Sequence, residues 1–221
     1  LTSYFSSIKH SKMKVLYIFS IVIISLICSC KKKGKADFTL NGVVTDGTFS
    51  TPLTSADVFL YETIAGESAS SLIGQTTTNS FGEYAFTFAR NSAESYYITT
   101  TKADYFPLEE TIYFSELTID NDNIRNFTTT ALSWVRLRFI NNSPSATDVF
   151  QYNRQKGKIN CASCCSAGVN YLYGAIDTSI YCVNDGNTIY QYQYSVQGTT
   201  NNGIKSTTTV AFDTTEIFLS Y

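Results

Sequence analysis

Gly82-Glu83-Tyr84-Ala85-Phe86-Thr87-Phe88 alternates aromatic side chains with small or polar ones at a period of two. A β-strand turns successive side chains to opposite faces, so Tyr84, Phe86 and Phe88 point into one core. The sequence on either side repeats the pattern. Upstream, Phe38 and Leu40 alternate with polar neighbours and lead into Val43-Val44-Thr45-Asp46-Gly47, a strand closing in an Asp-Gly turn. Ala56-Asp57-Val58-Phe59-Leu60-Tyr61 places Ala56, Val58 and Leu60 on one face. Downstream, Tyr96 to Thr101, Glu110 to Phe114 and Ile124 to Thr130 read as further strands. Asn79-Ser80-Phe81-Gly82 reads as a hairpin connection in which Gly82 supplies the positive φ of a tight turn. The Ser- and Ala-rich stretch from Glu62 to Leu72 reads as an exposed loop.

Gly42-Val43-Val44-Thr45-Asp46, Ala56-Asp57-Val58-Phe59-Leu60, Thr77-Thr78-Asn79-Ser80-Phe81-Gly82-Glu83-Tyr84-Ala85-Phe86 and Tyr97-Ile98-Thr99-Thr100-Thr101-Lys102-Ala103-Asp104-Tyr105 stand in this order. Together they resemble the carboxypeptidase regulatory-like, transthyretin-like domain. That resemblance implies a seven-stranded Greek-key sandwich over residues 37–130, of a kind that serves as a non-catalytic folding partner, spacer or contact module.

Residues 131–221 read as a second β-sandwich. Leu132 to Ile140 alternates cleanly, with Val135, Leu137 and Phe139 on one side and Arg136 and Arg138 on the other. Asp148 to Tyr152 is a short strand, Asn184-Asp185-Gly186-Asn187 a turn, and Thr188 to Val196 a strand. Thr207 to Phe212 and Glu216 to Tyr221 complete the set. In the strand from Thr188, Tyr190, Tyr192 and Tyr194 share one face and Gln191, Gln193 and Ser195 the other. Tyrosines packed inside a sandwich bury their rings, whereas exposed ones stack on sugars. With Asp213-Thr214-Thr215 near its end, this half resembles the C-terminal β-domain, closing near an Asp-Thr-Thr element, that some Bacteroidota lipoproteins pair with a transthyretin-like module.

The N-terminus carries an address. Lys14 precedes an apolar run from Val15 to Cys28, and small residues lead to Cys30 and then Lys31-Lys32-Lys33, the layout of a secretory signal helix. The run is shorter than the ~20 apolar residues that span a bilayer. Ile27-Cys28-Ser29-Cys30 resembles a bacterial lipobox, which implies lipid attachment at Cys30, with Cys28 the alternative. Residues 1–12 precede Met13, the single methionine, and read as sequence upstream of the start. Residues 1–29 are then the upstream stretch and signal, and 30–36 a lipidated tether. Lysine after Cys30 resembles lipoproteins sorted to the outer membrane, and the Ser-Cys-Lys-Lys-Lys junction resembles those of Bacteroidota.

Charge and composition narrow the function. Lys9, Lys12, Lys14, Lys31, Lys32, Lys33 and Lys35 are seven of the 16 basic residues, so only nine face all 18 acidic ones after Ala36. Basic residues so sparse do not track phosphates, which argues against nucleic acid. The sole histidine, His10, lies upstream of Met13. The exported part therefore lacks the usual general base and the usual partner of serine or cysteine nucleophiles. No cofactor is expected, and the membrane is engaged only through the lipid at Cys30.

Cys161, Cys164, Cys165 and Cys182 form an even set, which in an exported chain reads as two disulfides and in a reducing one as a zinc knuckle. Adjacent cysteines rarely pair, which leaves Cys161 with Cys164 and Cys165 with Cys182, or Cys161 with Cys165 and Cys164 with Cys182. Asp120-Asn121-Asp122-Asn123 offers oxygen ligands but lacks the glycine and distant glutamate of an EF-hand loop. Glu109, Glu110 and Glu116 are the acids available for carboxylate hydrolysis. The resemblances together imply a non-enzymatic, outer-membrane-anchored lipoprotein that acts as a structural or protein-contact module. The alternative is a glycan-binding accessory of an uptake system, using Tyr190, Tyr192 and Tyr194 or Trp134.

Overall fold

A computed structural model describes residues 37–221, and Cys30, with the expected signal and tether, lies outside them. The described chain is all-β, two tandem β-sandwiches with a separate core in each.

The first sandwich contains β1 (Asp37–Asp46), β2 (Thr51–Pro52), β3 (Asp57–Ile64), β4 (Ser70–Thr77), β5 (Glu83–Ala89), β6 (Ala93–Thr101) and β7 (Leu108–Tyr113). A 3-10 turn (Phe114–Glu116) leads to β8 (Asn123–Ile124) and β9 (Phe127–Thr129). One sheet has β1 at its centre, antiparallel to β5 on one side and parallel to β8 and β9 on the other. The second has the order β4-β3-β6-β7. Phe38, Leu40 and Val44 of β1 meet Val58 and Leu60 of β3, Tyr84, Phe86 and Phe88 of β5, and Tyr96 and Ile98 of β6. Phe88 and Tyr96 lie 4.9 Å apart, and Phe38 packs edge-on against Phe114. Each fully buried large apolar side chain contributes roughly 1.5–3 kcal/mol, so this interior is the main source of stability.

The second sandwich contains β10 (Leu132–Ile140), β11 (Val149–Lys156), β12 (Asn170–Tyr173), β13 (Asp177–Asp185), β14 (Ile189–Val196), β15 (Asn202–Thr208) and β16 (Thr214–Ser220). Its sheets are β13-β10-β16 and β12-β11-β14-β15. Apart from the two-residue β2, and with β8 and β9 together in the place of β16, this repeats the first sandwich. In both, the first strand sits mid-sheet with the last strand parallel beside it, and the opposite sheet takes the intervening strands in the same order.

Four expectations are corrected. Thr207 to Phe212 is not a strand and does not complete the second set: β15 is Asn202–Thr208, Thr209 to Phe212 lie in the turn into β16, and β12 and β13, which carry no strong apolar stripe, belong to the set as well. Only 65–69 of the stretch 62–72 is an exposed loop: β3 and β4 pair as far as Thr63 and Ser70, whose hydroxyls lie 2.8 Å apart, so its two ends are strand. Backbone pairing holds this hairpin although its side chains are exposed, so apolar alternation does not mark it. Asn79–Gly82 is a corner rather than a hairpin, because β4 and β5 belong to different sheets. The Asn79 side-chain oxygen accepts from the Phe81 and Glu83 N–H groups. Gly82 stands there at φ +74°, and a Cβ would lie 2.5 Å from the Val44 carbonyl oxygen. Finally, Ile124 to Thr130 is broken into β8 and β9 where the Arg125 carbonyl turns toward Gly42 and accepts from the Tyr84 hydroxyl at 2.7 Å.

Two disulfides clip the β11–β12 connection. Cys161 is bonded to Cys164, and Cys165 to the buried Cys182 on β13. The Ser163 carbonyl accepts from the Val183 N–H, so the clipped loop covers the outer edge of β13. An edge strand left open is a template for pairing with another chain, and this loop covers that edge at Val183.

Only Thr130 and Ala131 separate β9 from β10, and the passage is tied to both sides. The Ala131 N–H donates to the Thr48 hydroxyl at 2.9 Å, and its carbonyl accepts from the Gly186 N–H at 2.8 Å. Leu132 donates to the Asp104 carbonyl and accepts from the Phe212 N–H. The Phe212 ring stacks on Phe49 at 5.9 Å and meets Tyr105 edge-on at 5.4 Å, while Lys158 lies 4.2 Å over Phe106. The Asp37 end of β1 lies opposite this junction in the first sandwich, and the Ser220 end of β16 opposite it in the second.

Gly82→Ala is expected to lower stability by roughly 1–3 kcal/mol, since a left-handed φ and a backbone clash coincide. Gly66→Ala, where φ is +86° but space is open, should cost only about 1 kcal/mol. Urea midpoints of the two variants check the order. In the chain-entropy picture, opening Cys165–Cys182 by paired alanines costs about 3 kcal/mol, against about 1.6 kcal/mol for Cys161–Cys164. The same titrations read this difference, and a larger loss from the short bridge would contradict it.

Candidate functional site

The tyrosine row of β14 does not form a sugar-stacking surface. Tyr190 is 1% exposed, Tyr192 fully buried and Tyr194 half-buried against the same core. The cause is register: β14 pairs with β11 so that its tyrosines join Phe150 and Tyr152, and Tyr192 meets Phe139 edge-on at 5.7 Å. Burial pushes the Tyr190 hydroxyl up to about 12 and raises that of Tyr192 as well. Both phenols therefore stay neutral. The alternation that hides the tyrosines turns Gln191, Gln193 and Ser195 outward.

The outer face of the sheet β12-β11-β14-β15 is consequently lined with amides. Its central row runs across four strands as Tyr171, Gln151, Ser195 and Asn202. At the usual interstrand spacing this row is about 14 Å long. Beside it run Asn153, Gln193 and Ile204. Gln151 donates from Nε2 to Ser195 Oγ at 2.7 Å, which leaves the serine hydroxyl proton free to donate outward. A shallow hollow of about 170 Å³ lies between Gln151, Asn153, Gln193 and Ser195, with Val169 and Tyr194 at its margin.

Tyr171 and Tyr173 stand at one border of this face. They are 47% and 65% exposed, with rings 6.4 Å apart and within 19° of parallel. Edge strand β12 presents both because Phe150 and Tyr152 pair with Leu172 and Asn170, which turns the tyrosines away from the core.

The other outer faces differ. That of β13-β10-β16 carries ion pairs, Arg136 with Glu216 at 3.2 Å and Arg138 with Asp177. Trp134 is half-buried on β10 of that sheet. In the first sandwich, the outer face of β4-β3-β6-β7 carries Tyr61 and Tyr97, whose rings are tilted together at 6.1 Å. The Tyr97 hydroxyl is pushed up to about 12 by burial and by its bond to the Glu109 carboxylate, which stands on the same face. A larger hollow of about 530 Å³ lies over β1 and β5, lined by Asn41, Asn79, Glu83 and Asn126 among others.

The remaining candidates have structural work. Arg125 pairs with Glu110 at 3.1 Å and Glu116 at 2.9 Å, so one guanidinium holds both carboxylates. Asn123 is buried and bonds Thr118 and the Thr39 carbonyl, while Asp122 accepts from Asn41, so this stretch fastens the approach to β8. Among the described residues, no three His, Cys, Asp or Glu side chains cluster as metal ligands would. Tyr171 and Tyr173 escaped the sequence reading, although Tyr171-Leu172-Tyr173 between Gly168 and Gly174 is a short alternating run between turn residues.

No family model and no curated protein matches this chain. Among solved structures it is similar to the minor pilin GBS52 of Streptococcus agalactiae, at 12% identity and a TM-score of 0.33 over 83% of this chain and 94% of that one. It is similar also to the shaft pilin SpaA of Lactobacillus rhamnosus GG, at 9% identity and a TM-score of 0.35 over 84% and 97%. A hydroxyquinol 1,2-dioxygenase of Pseudomonas putida DLL-E4 matches at 10% identity and a TM-score of 0.33 over 45% of this chain and 58% of that one. At such scores none of these likenesses bears on what the chain does.

Proposed function

We propose that the chain is a non-enzymatic lipoprotein of a bacterial outer membrane, a contact module whose sandwiches hold surface away from the bilayer. The observation that carries this reading is the junction. A passage of two residues, bonded to both sides and closed by the Phe49–Phe212–Tyr105 aromatic contact, joins the sandwiches without a flexible linker. The Asp37 end of β1 is at the pole away from that junction, so the chain following Cys30 joins the first sandwich there and the second sandwich comes after the junction. Strands of ten and nine residues give a reach of roughly 60 Å along the two sandwiches. The pairing of Glu110 and Glu116 with Arg125, and the lack of histidine after His10, support a role without catalysis.

Two acyl chains at Cys30 anchor stably without a transmembrane helix, at about 0.8 kcal/mol for each buried methylene. Cys30→Ala should therefore move the protein from the outer-membrane fraction to the soluble fraction while its disulfides stay intact. Retention of Cys30→Ala in the membrane fraction would contradict the anchor.

A further inference from the structure

We infer that the outer face of β12-β11-β14-β15 binds an uncharged glycan, its sugar rings stacked on Tyr171 and Tyr173 and its hydroxyls bonded by Gln151, Asn153, Gln193 and Ser195. This goes beyond the display role and does not depend on the lipid anchor.

The occupant follows from the chemistry of the face. The residues that register directs outward across its middle, from Tyr171 to Asn202 and from Asn153 to Ile204, include no charged side chain. A phosphate, sulfate or uronate would find no cation in these two rows, and a basic partner no anion; the one cation that register places on this face, Lys156 opposite Gln191, stands a row farther along, at the margin of the site. Amides and hydroxyls are instead donors and acceptors together, the complement of a polyol. A flat apolar protein surface laid on them would strip water from Gln151, Asn153 and Gln193 without replacing its hydrogen bonds, at a cost for each group. A sugar replaces them one for one.

The tyrosines supply the second half of the recognition. A pyranose has an apolar face of C–H groups carrying partial positive charge, which the negative face of an aromatic ring attracts. Two exposed rings held nearly parallel, two residues apart on one strand, offer successive contacts to an extended chain. The hollow of about 170 Å³ is smaller than a pocket that swallows a whole ligand, and the amide row extends beyond it, so the site suits one unit of a longer glycan lying across the sheet. Gln151 is fixed by its bond to Ser195, so part of the floor is ordered before binding and less entropy is lost when the glycan arrives.

Affinity electrophoresis of the purified full chain through gels containing a neutral β-glucan, mannan or xylan, with alginate as the anionic comparison, tests this directly. At least one neutral polysaccharide should retard the protein, with little dependence on salt. Tyr171→Ala/Tyr173→Ala should weaken the retardation by about ten-fold or more. Gln151→Ala/Gln193→Ala should weaken it also, whereas Tyr61→Ala/Tyr97→Ala on the equivalent face of the first sandwich should leave it unchanged. Near-ultraviolet circular dichroism checks that each variant is folded, and the glutamine variant serves if the tyrosine variant is not. No retardation by any of the neutral polysaccharides would overturn the inference. So would retardation by alginate alone that salt abolishes, or retardation that survives both the tyrosine and the glutamine changes. Fractionation of Cys30→Ala reads the anchor and not this face, so the two ideas fail separately.

Discussion

The passage through Thr130 and Ala131 is the constraint on which the rest of the molecule depends. Ala131 is fully buried, and both its backbone polar groups are satisfied, one by each sandwich. An unpaired buried amide costs free energy comparable to a lost hydrogen bond, so swinging one sandwich away from the other would cost at least these two bonds and the aromatic contact of Phe212. Asp46, itself buried, reinforces the junction by accepting from Thr48, Phe49 and the Tyr105 hydroxyl. The residues that close the first sandwich's pole are thereby the ones that receive the second.

The two sandwiches reach one strand order by different means. The first packs Phe38, Phe88, Tyr96 and Phe114 together and relies on glycines where backbones touch: Gly42 beside Arg125, and Gly82 beside Val44. The second fills its interior with the tyrosines of β14 around Phe139 and Phe150, and fastens its long β11–β12 connection with disulfides. In both, the first and last strands run parallel side by side. Each sandwich therefore takes the chain in at one pole and passes it out at the other, and this places the amide face of β12-β11-β14-β15 in the half beyond the junction from Asp37.

Strands that bury one face announced themselves in the sequence: β1, β3, β5, β10 and β14 alternate at period two because half their side chains enter a core. Edge strands did not. The first three residues of β4 are exposed, as are both tyrosines of β12 and alternate residues of β15, so none shows a strong apolar stripe. The turn residues Asn79 to Gly82 satisfy local backbone requirements equally well in a hairpin and in a corner between sheets, and only long-range pairing of β5 with β1 decides between them. The face of β14 was ambiguous for a related reason. Tyrosine and glutamine rows are both amphipathic, and which one enters the core depends on register with β11 and on the aromatic cluster that awaits it. The short alternation of β12, the key to the candidate site, was legible only once β11 fixed which side of it meets water.

Rigidity of the junction is the central physical claim, and residual dipolar couplings measured on backbone amides of both sandwiches test it most directly. One alignment tensor that fits 37–129 and 132–220 together is the result the account predicts. Two tensors of different magnitude and orientation would show that the sandwiches reorient independently, and would contradict it.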